Sequence, residues 1–175
     1  MRWQELLVDG YGRIYQILRK ALTGLSPEDL RWQPRPDGNS MGWLAWHLTR
    51  VQDHHIAALL DAPQLYLSDG WHAKFDRPAD AQDIGFGHGS DEVARFQAAD
   101  AETLLAYHRA VYERSKGYLA ALSDAGLGRE LNEPQYQPLP TVGVRLISIL
   151  SDNLQHAGQI AYLRGLRQGK GWLGA

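Results

Sequence analysis

Four long stretches of this chain repeat their apolar residues every three or four positions, and that periodicity limits the fold more than any other feature. The first runs from Trp3 to Thr23, with Leu7, Tyr11, Ile14, Leu18 and Leu22 on one face. The second starts at Asn39 or Ser40 and runs to Leu60, with a stripe of Leu44, His47, Leu48, Val51, His55, Ala58 and Leu59. The third covers Ala99 to Ser123 and turns Leu104, His108, Val111, Ser115, Tyr118 and Leu122 inward. The fourth covers Thr141 to Arg167 and aligns Leu146, Ile149, Asn153, His156, Ile160 and Leu163. Amphipathic helices of this length bury their stripes against one another, so the pattern predicts an all-α four-helix bundle. β-branched residues are few and nothing alternates at period two, so no strand is expected.

The connections carry their own signals. Ser26-Pro27-Glu28-Asp29 reads as an N-cap with Pro at the first helical position, opening one short turn that ends near Trp32. Asp61-Ala62-Pro63 closes the second long helix. From Pro63 to Ser90 the sequence is irregular and glycine-punctuated, which predicts a long crossover packed on the body through Trp71, Phe75 and Phe86. Ser90 or Asp91 caps a short turn through Phe96, and Gly126 and Gly128 end the third long helix. A chain of 175 residues with no second composition regime is expected to be one domain, 1–175.

Composition removes several functional classes. There is no cysteine, which excludes disulfides and thiolate metal sites, so any metal must be held by His and carboxylate. The net charge is -2 and Lys and Arg form no run, so nucleic acid is not an expected partner. No stretch approaches the ~20 apolar residues of a membrane span, and the first residues lack the apolar core of a signal peptide. The expectation is a cytoplasmic protein.

The chemistry-bearing residues fall where the core should be. His47 sits among Leu44, Leu48 and Val51, while Asp152 and His156 are four apart and share a helix face flanked by Ile149 and Ile160. A carboxylate and imidazoles aimed into a bundle interior need compensation, because unpaired buried polar groups cost several kcal/mol. A divalent cation supplies it, and three ligands of these types leave one position open, as in catalytic zinc sites. Spacing alone leaves open the plainer readings: a surface Asp–His pair and a hydrogen-bonded core histidine. Further histidines are candidates for lesser roles. His54 lies two turns beyond His47, and His108 faces inward on the third helix; either is a weak candidate for a catalytic base. His55 packs near the stripe, His72 and His88 could cover the site mouth, and Gln159 is placed to orient His156. Trp43 and Trp46 read as packing residues.

Gly42-Trp43-Leu44-Ala45-Trp46-His47-Leu48 and His156-Ala157-Gly158-Gln159-Ile160-Ala161-Tyr162-Leu163-Arg164 resemble the second- and fourth-helix motifs of the DinB family. Asp69-Gly70-Trp71 through Phe75, and Gly85-Phe86-Gly87-His88, resemble the connection in an actinobacterial branch of that family. The resemblance spans nearly the whole chain. It implies a bundle with an unusual connection order and a long crossover between helices two and three. It also implies a divalent-metal site at His47, Asp152 and His156. Where many DinB members have His, and the related mycothiol-dependent maleylpyruvate isomerase has Glu, this chain has the shorter Asp152.

By that resemblance the leading function is a metal-dependent transferase. A low-molecular-weight thiol such as mycothiol would be activated as thiolate and transferred to an electrophilic substrate, with zinc as the first choice of metal and nickel, iron or manganese compatible. The competing readings are a metal-dependent hydrolase that activates water, and a non-catalytic metal-binding or structural bundle. Helix-packed homodimers, as formed by related proteins, are a further expectation.

Overall fold

The computed structural model describes residues 1–98 and 100–173. The expected helix start at Ala99 and the tail glycine Gly174 lie outside the described residues. The helices in chain order are α1 (Trp3–Leu22), α2 (Pro27–Arg31), α3 (Met41–Leu60), α4 (Leu65–Ser68), α5 (Trp71–Lys74), α6 (Ser90–Arg95), α7 (Ala101–Ala121), α8 (Asp124–Leu127) and α9 (Val142–Gln168), followed by a 3-10 turn over Lys170–Leu173. Among the described residues the sole bridge between extended segments is the isolated pair Glu130 and Thr141. The fold is all-α, and no described helix is long and apolar enough to cross a membrane.

Side-chain caps set several helix starts. The hydroxyls of Ser26, Ser40 and Thr141 accept hydrogen bonds from the backbone N–H groups of Asp29, Trp43 and Val144, satisfying donors that a helix start leaves free. Gly89 rather than Ser90 caps α6, with the Glu92 carboxylate accepting from its N–H at 2.8 Å. The third long helix ends at Ala121, before the glycines; Ser123 then caps the short α8.

The four long helices are α1, α3, α7 and α9. Each of α1 and α3 packs against both α7 and α9, so α1 and α3 sit on one diagonal of the bundle. Side-chain contacts give the directions. Tyr11 bonds the Leu146 carbonyl and Arg164 bonds that of Lys20, so α1 and α9 run parallel. Thr49 meets His108 and Gln52 meets Ser115, so α3 and α7 also run parallel. Two adjacent parallel helices require a connection that returns the length of the bundle. That is why some forty residues separate α3 from α7, and why the crossover passes over the outer face of α3.

This cover changes the character of α3. Its sequence predicts a one-sided stripe, yet every residue from Met41 to Asp53 is buried. The added burial includes two charges. Arg50 donates to the carbonyl of Asp83 and to the Gln64 side-chain oxygen, and its guanidinium lies 3.8 Å from the Tyr66 ring centre. Asp53, 3.8 Å from Arg50, accepts from the N–H groups of Leu65 and Tyr66 and from the Tyr107 hydroxyl. Together they fasten the crossover to the bundle, since each buried charge is met by several hydrogen bonds. Trp71 and Phe75 are buried as expected, but Phe86 is 89% exposed and anchors nothing. Gly85 and Gly87 hold positive φ on either side of it, which turns the chain so that the Phe86 ring points outward.

His108 is sealed in the interior. The Thr49 hydroxyl donates to the Ala45 carbonyl, so toward His108 it can only accept; the His108 Nδ1–H is the donor and Nε2 lies buried without a partner. Burial pushes His108 down to about 3 and His55 down to about 4. Both groups are neutral when folded but take a proton when unfolded below the ordinary value near 6.5. They therefore stabilise the fold above that value and lose the contribution as pH falls toward 4 and 3. Urea denaturation is expected to show stability falling by about 2–3 kcal/mol between pH 7 and 5.5 in the metal-free protein, with about half of the loss removed in His108→Gln. A flat profile in this range would contradict the neutral assignment.

Candidate metal centre

α3 and α9 run antiparallel and in contact, which brings His47 opposite Asp152 and His156. One ligand atom from each of the three residues lies within 4.8 Å of the others. The His47 and His156 rings meet edge to face with centres 4.9 Å apart, and His156 Nε2 is 3.6 Å from Asp152 Oδ1. His47 is buried, while the Asp152 and His156 side chains are 33% and 18% exposed, so the cluster opens to solvent along α9.

The hydrogen bonds around the cluster fix both imidazoles in the same tautomer. His47 Nδ1–H donates to the carbonyl of Ile84 at 2.5 Å. His156 Nδ1–H donates to the side-chain oxygen of Gln159 at 2.8 Å. Each ring therefore keeps its Nε2 lone pair for the cluster, the arrangement by which outer partners orient metal-binding histidines. Asp152 Oδ2 is buried and has no hydrogen-bond partner. With both rings neutral, two free imidazole lone pairs converge with the Asp152 carboxylate, whose Oδ1 lies 3.6 Å from His156 Nε2, and no donor stands between them. That is an unfavourable arrangement unless a cation joins it. The donor set fits a divalent metal of the zinc type, and one methylene fewer than Glu does not prevent Asp152 from reaching the histidines.

The two histidines differ electrostatically. Burial holds His47 below the usual imidazole range, with the Ile84 carbonyl opposing that shift and the neighbouring His156 adding to it. Burial also pulls on His156, but the Asp152 carboxylate and the Gln159 oxygen outweigh it and leave this histidine raised. A metal takes the deprotonated imidazole, so a cation at the cluster competes with the proton at His156.

Behind His47 stands a wall of aromatic rings. Trp43 stacks on it at 4.8 Å between centres and donates from its indole N–H to His88 Nδ1. His88 Nε2–H donates to Asp83, which also holds Arg77 at 2.6 Å. Gly85, with φ 88, closes the wall: a Cβ there would lie 2.8 Å from His47 Nδ1 and 3.0 Å from the Trp46 ring.

The sequence profile of the DinB superfamily matches residues 11–160 of this chain. The chain belongs to the DinB superfamily. A solved structure, that of a conserved protein from Enterococcus faecalis, matches the DinB chain with a TM-score of 0.87 and 28% identity, covering 95% of this chain and 97% of its own. Among curated proteins none matches the chain.

The remaining histidines of this DinB protein lie elsewhere. His108 is enclosed beside Thr49 and Tyr15. His54 accepts from the Gln64 side chain on the crossover side of α3, and His72 bonds the Tyr66 carbonyl. None of these joins the cluster among the described residues. His55 lines a separate cavity with Arg145. His88 backs the Trp43 and Trp46 rings and does not cover the mouth. Sequence reasoning missed the Ile84 carbonyl and the Gly85 backbone. A main-chain acceptor carries no residue signature, and the positive-φ glycine pair around Phe86 was the available signal.

Proposed function

We propose that this chain is a metal-dependent transferase that activates a low-molecular-weight thiol, of the mycothiol type, for attack on an electrophilic small molecule, with zinc as its resident metal. The observation that carries this reading is the partly open His47, Asp152 and His156 cluster with its unpartnered carboxylate oxygen. Three protein ligands are the pattern of catalytic sites that keep a position for a substrate or water. A divalent cation held there supplies Lewis acidity, which lowers the pKa of a thiol or of water.

The chain's own residues supply the rest. The Ile84 carbonyl and the Gln159 side chain hold the two imidazoles in their ligating tautomer. Trp43 and Gly85 exclude water from the inner side of His47. Gln159 also borders a cleft of about 200 Å³ with Leu44, Tyr162 and Leu163, which offers the electrophile an apolar wall beside the cluster. The chain has no cysteine, so a sulfur nucleophile must arrive as a substrate. No protein side chain is assigned the role of nucleophile.

The test is thiol dependence. Zinc-loaded protein is expected to consume an electrophile such as monochlorobimane only with added thiol, at least tenfold faster than the thiol alone, and Asp152→Ala is expected to lose that excess. Turnover of esters or amides without thiol would favour water activation at the same cluster. Stoichiometric metal with neither activity would favour a binding protein.

A further inference from the structure

A second cavity lies on the α3–α9 seam, toward the start of α9. It has a volume of about 280 Å³, and its polar lining is His55, Arg129, Asn132, Glu133 and Arg145. Arg145 comes from α9, seven residues before Asp152 and eleven before His156, which puts it on their face of the helix about 10 Å from Asp152 along the axis. His55 comes from α3, two turns beyond His47. The other wall is the segment between α8 and α9, tied down by the Glu130–Thr141 bridge and by the Arg145–Glu133 ion pair.

The charges in this lining do not cancel. Glu133 is engaged by Arg145, and the cavity keeps the charge of Arg129, whose guanidinium lies beside the Tyr118 hydroxyl. His55 stays neutral there because burial and Arg145 both disfavour a further positive charge. The result is a partly enclosed pocket with one net positive charge, imidazole and amide groups for hydrogen bonding, and Leu59 and Leu131 as apolar floor. Guanidinium is suited to planar carboxylates, and Arg129 presents one at the exposed rim of the pocket.

We infer that this cavity is an anion subsite that takes a carboxylate of a small molecule reaching along the seam toward the metal cluster. Resting on the transferase reading, it narrows the substrate class to molecules with a carboxylate about 10 Å from the reacting atom. The carboxylate could belong to the thiol or to the electrophile, and the two sources are separable.

The first arm needs neither turnover nor thiol. Hexanoate is titrated into zinc-loaded protein while the Arg129 Nε–H resonance is followed by NMR, with hexanol as the neutral control. Saturable shifts with hexanoate and none with hexanol are expected. In Arg129→Gln, hexanoate should bind at least tenfold more weakly, read from the remaining resonances of the α8–α9 segment, with zinc affinity unchanged. Equal responses to acid and alcohol, or an unaltered response in Arg129→Gln, overturn the subsite.

The second arm compares mercaptooctanoate with mercaptooctanol on cobalt-loaded protein, read by the thiolate-to-cobalt absorption band. Tenfold tighter binding of the acid, lost in Arg129→Gln, supports the subsite and assigns the carboxylate to the thiol. Equal binding, with the first arm positive, supports it and assigns the carboxylate to the electrophile. Absence of the band with either thiol overturns the transferase reading and leaves the first arm to decide the subsite.

Discussion

Replacing His156 by Ala is expected to leave a folded protein whose zinc affinity is at least ~100-fold weaker than that of the wild type. The side chain lies at the open edge of the bundle, 18% exposed, so its removal creates no sealed cavity and stability should change by less than about 1 kcal/mol in the metal-free state. What is lost is one of two imidazole lone pairs, together with the hold that Gln159 exerts on it. The remaining pair, His47 and Asp152, cannot enclose a cation from α9 and α3 with comparable strength. Competition against a chromophoric chelator gives the affinity, and circular dichroism confirms the fold. Gln159→Ala is the graded companion: it removes only the orienting partner, and a loss of about tenfold is expected. An affinity in His156→Ala equal to that of the wild type would place the metal elsewhere.

Gly85→Ala is expected to damage both fold and site. The residue holds φ 88, a left-handed conformation that costs an L side chain about 1–2 kcal/mol. The added methyl would also lie 2.8 Å from His47 Nδ1, 3.0 Å from Trp46 and 3.1 Å from Trp43. These rings are buried and stacked, so they have little room to retreat. Overpacking of this kind costs a further ~1–3 kcal/mol, giving about 2–5 kcal/mol in all. Relief requires the crossover to lift, and the neighbouring Ile84 carbonyl then moves off His47 Nδ1. Loss of that orienting bond is expected to weaken zinc binding about 10–100-fold. Urea titration and chelator competition on the same preparation check the two effects. Gly87→Ala is the control. It shares the positive φ but meets no atom within 4 Å, so it should carry only the backbone cost and leave zinc affinity unchanged.

The parts of this molecule that could be read from sequence are those in which side-chain identity and helical spacing coincide. Leu146, Ile149, Asn153, Ile160 and Leu163 are buried along one face of α9, as three-and-four spacing dictates, whereas His156, expected on that stripe, and Asp152 lie at its partly exposed edge. His47 could be singled out because a polar ring among Leu44, Leu48 and Val51 stands out. Arg50 and Asp53 could not. A charge on a helix reads as solvated, and these two are buried only because the crossover returns over them, a long-range fact. Phe86 misled for the opposite reason. An aromatic in a loop suggests an anchor, but the glycines on either side turn it outward. The diagonal placement of α1 and α3 also escapes periodicity, since a stripe says that a helix packs and not which neighbour it packs against. The family resemblance implied only an unusual connection order with a long crossover, and the parallel pair α3 and α7 explains that crossover physically.

Elemental analysis of the wild-type protein, purified without a metal-affinity tag, exposed to stoichiometric zinc and passed through gel filtration, tests the cluster most directly. About one ion per chain is predicted, falling close to zero when the same treatment is applied to a His47→Ala, His156→Ala double variant. Wild-type protein that emerges folded and metal-free, or a double variant that retains one ion, would contradict the assignment.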